Sequence, residues 1–130
     1  MTEPAPAGGI AWTDLTVPDA AAARDFYAAV TGMGHVEVEV DGYSDFSMIP
    51  AGAEAPAAGV CFARGENASL PPVWLVYFAV EDIDAAVKEA LSRGGSVITG
   101  PKDAGGAGRF AALRGVAGEA FALWQSAATE

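Results

Sequence analysis

Residues 10–17 read IAWTDLTV, and their apolar and polar positions alternate. Leu15 and Val17 fall on one side, with Trp12, Asp14 and Thr16 on the other. A period of two predicts a strand with one buried face. A second run, VWLVYFAV at 73–80, is apolar and rich in β-formers and predicts another strand. After each strand the period changes to that of a helix. Ala23, Phe26, Tyr27 and Val30 form one stripe, and Ile83, Ala86, Val87, Ala90 and Leu91 form the other. Asp19 and Asp82 stand where a short side-chain oxygen can accept the free amides of the first turn. Gly32 and Gly94 stand where a left-handed helix end is expected.

Beyond each helix the pattern returns to strands. HVEVEV (35–40) alternates strictly, and Asp41-Gly42 predicts a hairpin turn into YSDFSMI. AGAEAPAA predicts a loop and GVCFAR (59–64) a fourth strand. In the second half SVIT predicts a strand, GPKDAGGAG a flexible loop, RFAAL a strand, GVAG a turn and EAFALWQ the last strand. The two halves are near-repeats. Val17 matches Val80, Asp19 matches Asp82, and Ala22-Ala23 match Ala85-Ala86 at one offset. Duplicated units of this size predict two similar modules in one fold. The expectation is an α+β domain of two βαβββ modules, with eight strands and two helices packed outside.

Length and composition narrow this further. The 130 residues suit one domain, and 52% are apolar, enough for a core. The start, MTEPAPAGG, lacks the basic and apolar regions of a signal peptide and reads as a disordered lead-in over residues 1–8. The domain is then expected over 9–127, with modules at about 9–66 and 72–127. No apolar run is long enough to span a bilayer. A net charge of −10 argues against nucleic acid and against an anionic membrane surface, because both call for clustered Lys and Arg. The single Cys61 rules out an internal disulfide and a cysteine-rich metal site. These features lead to the expectation of a cytoplasmic protein.

The stretches WTDLTVPDAAAARDFYAAVTG, GYSDFSM, CFARGENASLPPVWLVYFAVEDIDAA, Gly100-Pro101 and GRFAALRGVAG resemble the vicinal oxygen chelate superfamily. That superfamily includes glyoxalase I, extradiol dioxygenases and bleomycin-resistance proteins. The run RGENASLPPVWLVYFAVEDIDAA is most similar to an actinobacterial glyoxalase-like subgroup. The resemblance implies an eight-stranded, U-shaped sheet around a cavity. It also implies a metal ligand on the first and last strand of each module. Carried over residue by residue, these positions are Trp12, Leu75, Cys61 and Ala122, none of them His, Glu, Asp or Gln. A divalent ion needs several convergent N or O donors, so no metal and no cofactor is expected. The same registry puts Trp12, Asp14, Thr16, Cys61, Leu75, Tyr77 and Trp124 on the cavity side, a concave and mostly apolar lining suited to a small molecule.

Each candidate has two readings. Trp12 and Trp124 are ligand-stacking walls or plugs of an idle cavity. Asp14 is a general base or a structural carboxylate bonded to Arg109, Tyr77 or a backbone amide. Arg109 clamps an anionic or carbonyl group or pairs with a surface carboxylate. Phe46 joins Thr16, Cys61, Leu75 and Tyr77 as a ligand contact. Cys61 reads as inert packing rather than a nucleophile. His35, Glu37 and Glu39 share a strand face and read as a charged edge rather than a metal trio. GPKDAGGAGR is no phosphate loop, because no GK[ST] follows, and it reads as a lid.

Two functions follow. One is a metal-free protein that binds a small hydrophobic or aromatic molecule, as in resistance or sequestration, with the acidic surface favouring cationic ligands. The other is a metal-independent isomerase, cyclase or lyase, with Asp14 as base and Tyr77 or Arg109 stabilising an oxyanion. A collapsed pseudo-enzyme acting at an interface is a third possibility. The expected partners are a small-molecule ligand and a second copy in a homodimer.

Overall fold

The computed structural model describes residues 5–40 and 42–127. Its elements are β1 (Ile10–Val17), α1 (Ala20–Thr31), β2 (Gly34–Val40), β3 (Tyr43–Ile49), β4 (Ala58–Phe62), β5 (Trp74–Ala79), α2 (Ile83–Ser92), β6 (Ser96–Asp103), β7 (Gly108–Arg114) and β8 (Ala120–Ser126). A short 3-10 turn at Gly65–Ser69 follows β4 and was not anticipated. The strands form a mixed sheet, and the α+β class with two βαβββ modules is the observed one. By contacts the chain resolves into two compact units: Thr13–Trp74, and Leu75 onward together with the start of the chain up to Trp12. Among the described residues no helix is long and apolar enough to cross a membrane.

In the unit of residues 13–74 the strands lie in the order β2-β3-β4-β1. β4 is antiparallel to β3 and parallel to β1. Asp19 Oδ1 accepts the Ala22 N–H at 3.0 Å, and Gly32 ends α1 at φ 82°. The helix packs on Phe46, Met48, Ala58 and Val60 through Ala20, Ala21 and Ala23. The expected stripe on α1 is corrected here. Phe26 and Val30 are 59% and 65% exposed, because the alanines at the start of the helix make the contact. Of the hairpin turn between β2 and β3, Asp41 lies outside the described residues, while Gly42 has φ 85°.

In the other unit the order is β5-β8-β7-β6. Asp82 Oδ1 accepts the Ala85 N–H at 3.1 Å. Ile83 and Val87 of α2 bury against Ala111, Leu113 and Leu123, while Leu91 of the expected stripe is exposed. Two side chains hold the start of α2 on the sheet. Gln125 Oε1 accepts the Ile83 N–H at 2.8 Å, and Arg109 makes a two-point pair with Asp84 at 2.8 and 3.2 Å. Of the expected lead-in, residues 1–4 lie outside the described residues. Residues 5–8 form a turn, with the Gly9 N–H on Pro6 O and the Gly8 N–H on Ala79 O at 2.8 Å.

The flexible loop expected from GPKDAGGAG is largely strand. β6 runs through Gly100, Pro101 and Lys102 to Asp103, leaving a four-residue turn closed by the Ala104 N–H on Gly108 O at 2.9 Å. Proline is tolerated there because β6 is an edge strand. Register shifts between Val97 and Thr99 and between Thr99 and Lys102 take up the irregularity.

Candidate functional site

Strand register decides which side chains share a surface, because opposed residues point to the same face. In the unit of residues 13–74, Phe46 opposes Val60 and Leu15 opposes Val60, so all three lie on the helix face. Phe46 is 5% exposed in the core, with the Arg24 guanidinium 4.6 Å from its ring centroid and His35 edge-on to it. It is therefore a core side chain, because the phase of β3 turns it toward α1.

The opposite face of this unit carries Asp14, Thr16 and Cys61, with Thr16 directly opposed to Cys61 and 3% exposed. The antiparallel phase puts Asp45, which the sequence reading did not single out, on the same face. Its Oδ1 accepts the Phe62 N–H at 2.9 Å, and the Cys61 thiol bonds to the same carboxylate. Burial pushes the thiol pKa well up, and the nearby Asp14 and Asp45 charges push it further. A thiol held protonated is a poor nucleophile and a poor metal ligand. Burial also raises the Asp45 carboxyl, partly offset by its backbone and thiol bonds and by Arg64.

The Asp45 shift sets the sign of a pH effect. With its folded value above the unfolded one, the folded state binds more protons across that interval, so this group makes stability fall as pH rises through it. Asp45→Asn keeps an acceptor for the Phe62 N–H and removes the titration. Urea unfolding from about pH 3 to about pH 7 is expected to show the wild type losing stability relative to Asp45→Asn as pH rises. Parallel pH profiles would refute it.

The second unit builds a different surface. Lys102 opposes Phe110, Phe110 opposes Trp124, and Trp124 opposes Ala79 across β6, β7, β8 and β5. The next rung is Thr99, Ala112, Ala122 and Tyr77. The small Ala112 and Ala122 are buried and leave room for the rings beside them, with Tyr77 and Phe110 centroids 6.2 Å apart. Phe110 and Trp124 are half-buried, and the Trp124 indole N–H donates to Ser126 Oγ at 3.1 Å. Leu75 and Tyr77 are 0% and 8% exposed, so they form the floor more than the contact surface. Trp12, grouped with this unit, is half-buried on β1.

Arg109 is on the other side. It opposes Gln125, on the face that packs α2, and its bidentate pair with Asp84 lowers that carboxyl below the usual range. Of the two readings of Arg109, the surface pairing is the one observed. The phase of β7 turns this side chain toward the helix.

The positions that the family resemblance gives to metal ligands do not fit a metal. They supply an indole, an isobutyl group, a methyl group and one proton-bearing thiol. Among the described residues no group of three or more His, Cys, Asp or Glu is placed to hold an ion. Sequence reasoning missed Phe110, Lys102 and Asp45. Phe110 could have been found from the period of two in RFAAL, but Lys102 was hidden by the loop signals around it.

Residues 9–123 match the model of the Glyoxalase/Bleomycin resistance protein/Dioxygenase superfamily. The chain is 37% identical to the anthracycline biosynthesis protein DnrV of Streptomyces peucetius, over 100% of this chain and 51% of that protein. It is 36% identical to the glyoxylase candidate CFP32 of Mycobacterium tuberculosis, over 88% of this chain and 44% of that protein. It thus spans about half the length of the curated relatives it matches. Among solved structures, methylmalonyl-CoA epimerase in complex with methylmalonyl-CoA and NH4+ aligns with a TM-score of 0.59 at 20% identity, covering 96% of this chain and 99% of that one. The Mycobacterium tuberculosis methylmalonyl-CoA epimerase aligns at 0.56 and 18% identity, over 98% and 94%. At these identities the likeness is one of fold.

Proposed function

The chain belongs to the glyoxalase/bleomycin resistance protein/dioxygenase superfamily, and on that premise we propose that it binds a small, planar, fused-ring aromatic molecule without a metal, on the face formed by Phe110 and Trp124. The observation that carries this reading is the continuous rung Lys102–Phe110–Trp124–Ala79, two half-buried rings side by side with small residues next to them. Flat rings bind flat ligands by stacking and area burial, each contact contributing on the order of 1–3 kcal/mol. The resemblance to a protein of anthracycline biosynthesis supports a fused-ring ligand.

The test uses 2-(hydroxymethyl)anthraquinone as a neutral planar probe, followed by quenching of tryptophan emission. Trp124→Leu is expected to weaken binding by about tenfold, the equivalent of roughly 1.4 kcal/mol. Trp74→Phe is expected to change it little, since Trp74 packs with the α1 core and donates to the Tyr27 hydroxyl at 3.1 Å. Equal losses in both variants, or no binding by the wild type, would overturn the reading.

A second reading rests on the acidic cluster of the other unit. Asp14 and Asp45 flank the Cys61 thiol on one face, and burial raises the Asp45 carboxyl. A pair of carboxyls on one face can serve as base and acid in an isomerisation, cyclisation or dehydration. This enzyme reading gains if Asp14→Asn abolishes conversion of a bound compound while its affinity is unchanged.

A further inference from the structure

The protein as a whole is strongly acidic, which would favour cationic ligands. The aromatic face has the opposite local character. Within the four strands β5, β6, β7 and β8 themselves the only carboxylate belongs to Asp103, and it opposes Arg109 on the helix face, while Glu119 sits in the β7–β8 turn and accepts the Ala117 N–H. The charged strand residues left on the aromatic face are Lys102 and, at the far end of β7, Arg114, whose guanidinium donates to Gly118 O at 2.9 Å. The Lys102 ammonium is 5.1 Å from the centroid of the Phe110 ring, and the residue is half-buried. Register fixes this placement, because the residue opposite Phe110 on β6 is Lys102.

We propose that Lys102 is a specificity-determining residue. It selects planar aromatic ligands that carry an acidic oxygen, a carboxylate or a phenolate, at the β6 edge of the ring system. The inference rests on the aromatic-face reading above and adds the chemical class of the ligand. The ammonium lies over the Phe110 ring, so a ligand packed against Phe110 and Trp124 brings its rim within reach of it. An ammonium contacting a carboxylate makes a charge-assisted hydrogen bond, about twice as strong as a neutral one. The field of the whole chain repels anions, so a preference for an anion has to arise at short range, and screening at about 0.15 M salt leaves that local contact in place.

The experiment compares anthraquinone-2-carboxylate with 2-(hydroxymethyl)anthraquinone, which share a ring system and differ in charge. The wild type is expected to bind the carboxylate about tenfold more tightly. Lys102→Gln is expected to abolish the preference, bringing the affinities for the two probes within about twofold of each other, and Lys102→Arg to keep it. Lys88→Gln, on the outer side of α2 among Asp84, Ala85 and Glu89, changes the net charge equally and is expected to keep the preference. A wild type that prefers the alcohol, or a Lys102→Gln variant with undiminished preference, would overturn the inference while leaving the aromatic face intact. Failure of both probes to bind the wild type would instead overturn the aromatic-face reading and this inference with it.

Discussion

Replacing Phe46 by alanine is expected to lower the stability of the protein by about 3–5 kcal/mol, a cost typical of deleting a buried aromatic ring. Phe46 is 5% exposed and packs with Met48, Ala58 and Val60 beneath Ala20 of α1. Its ring also touches the rings of His35 and Phe62, and the Arg24 guanidinium lies over it. Truncation removes all of these contacts and leaves a cavity between strand and helix that backbone elements cannot close. The melting temperature is expected to fall on the order of 10–20 °C. Ser47→Ala, one residue along on the opposite face of β3, serves as the control and is expected to cost within about 0.5 kcal/mol. Binding of the neutral anthraquinone probe by the Phe46→Ala protein that remains folded is expected to match the wild type. A stable variant with weakened binding would return Phe46 to the ligand site and overturn its assignment to the core.

Phe46 also marks how far the sequence alone could be read. The strands and helices were legible because period, caps and glycines agree at each end. Ile10–Val17 is visible in its alternation, and Asp19 and Asp82 cap as their spacing predicts. The faces were less legible. β3 reads YSDFSMI, with large residues at both phases, so alternation alone does not say whether Tyr43 and Asp45 or Phe46 and Met48 turn inward. Only pairing with Val60, already committed to the helix side, resolves it. The stripe on α1 failed for a related reason. A helix that starts AAAA can pack by its first turn, which frees Phe26 and Val30 to face outward.

Arg109 and Lys102 exchanged roles for the same reason. The glycine and proline signals of GPKDAGGAG describe a flexible segment, and a residue in such a segment has no assigned face. Pairing of β6 with β7 supplies one, setting Asp103 opposite Arg109 and Lys102 opposite Phe110. The cation expected near a ligand is thereby committed to Asp84, and the one taken for part of a loop stands beside the aromatic rings. Spacing along one strand could not show this, because the two rungs differ by a single residue and a one-residue change of phase inverts every assignment.

That dependence on register makes Gly108 a sensitive position. A methyl group there would collide with the backbone oxygen of Gln125 and lie 2.8 Å from Cζ2 of the Trp124 indole. The oxygen belongs to the β7–β8 ladder, where Gly108 opposes Ser126, so it cannot retreat without parting the strands. The indole has to move, and with it the second ring of the rung. Gly108→Ala is expected to cost at least about 3 kcal/mol, the upper end of overpacking effects, since a backbone contact is violated as well as a side chain displaced. It is also expected to weaken binding of the anthraquinone probe more than tenfold. Gly106→Ala in the same turn separates conformation from packing. Gly106 has φ 90° but open space around its would-be methyl group. Its substitution is expected to cost only the roughly 1–2 kcal/mol of a left-handed backbone, with binding unchanged. Urea unfolding of both variants alongside the probe titration makes the comparison. If Gly108→Ala is no worse than Gly106→Ala in both assays, the indole does not depend on the glycine beside it, and the rung has lost its structural basis.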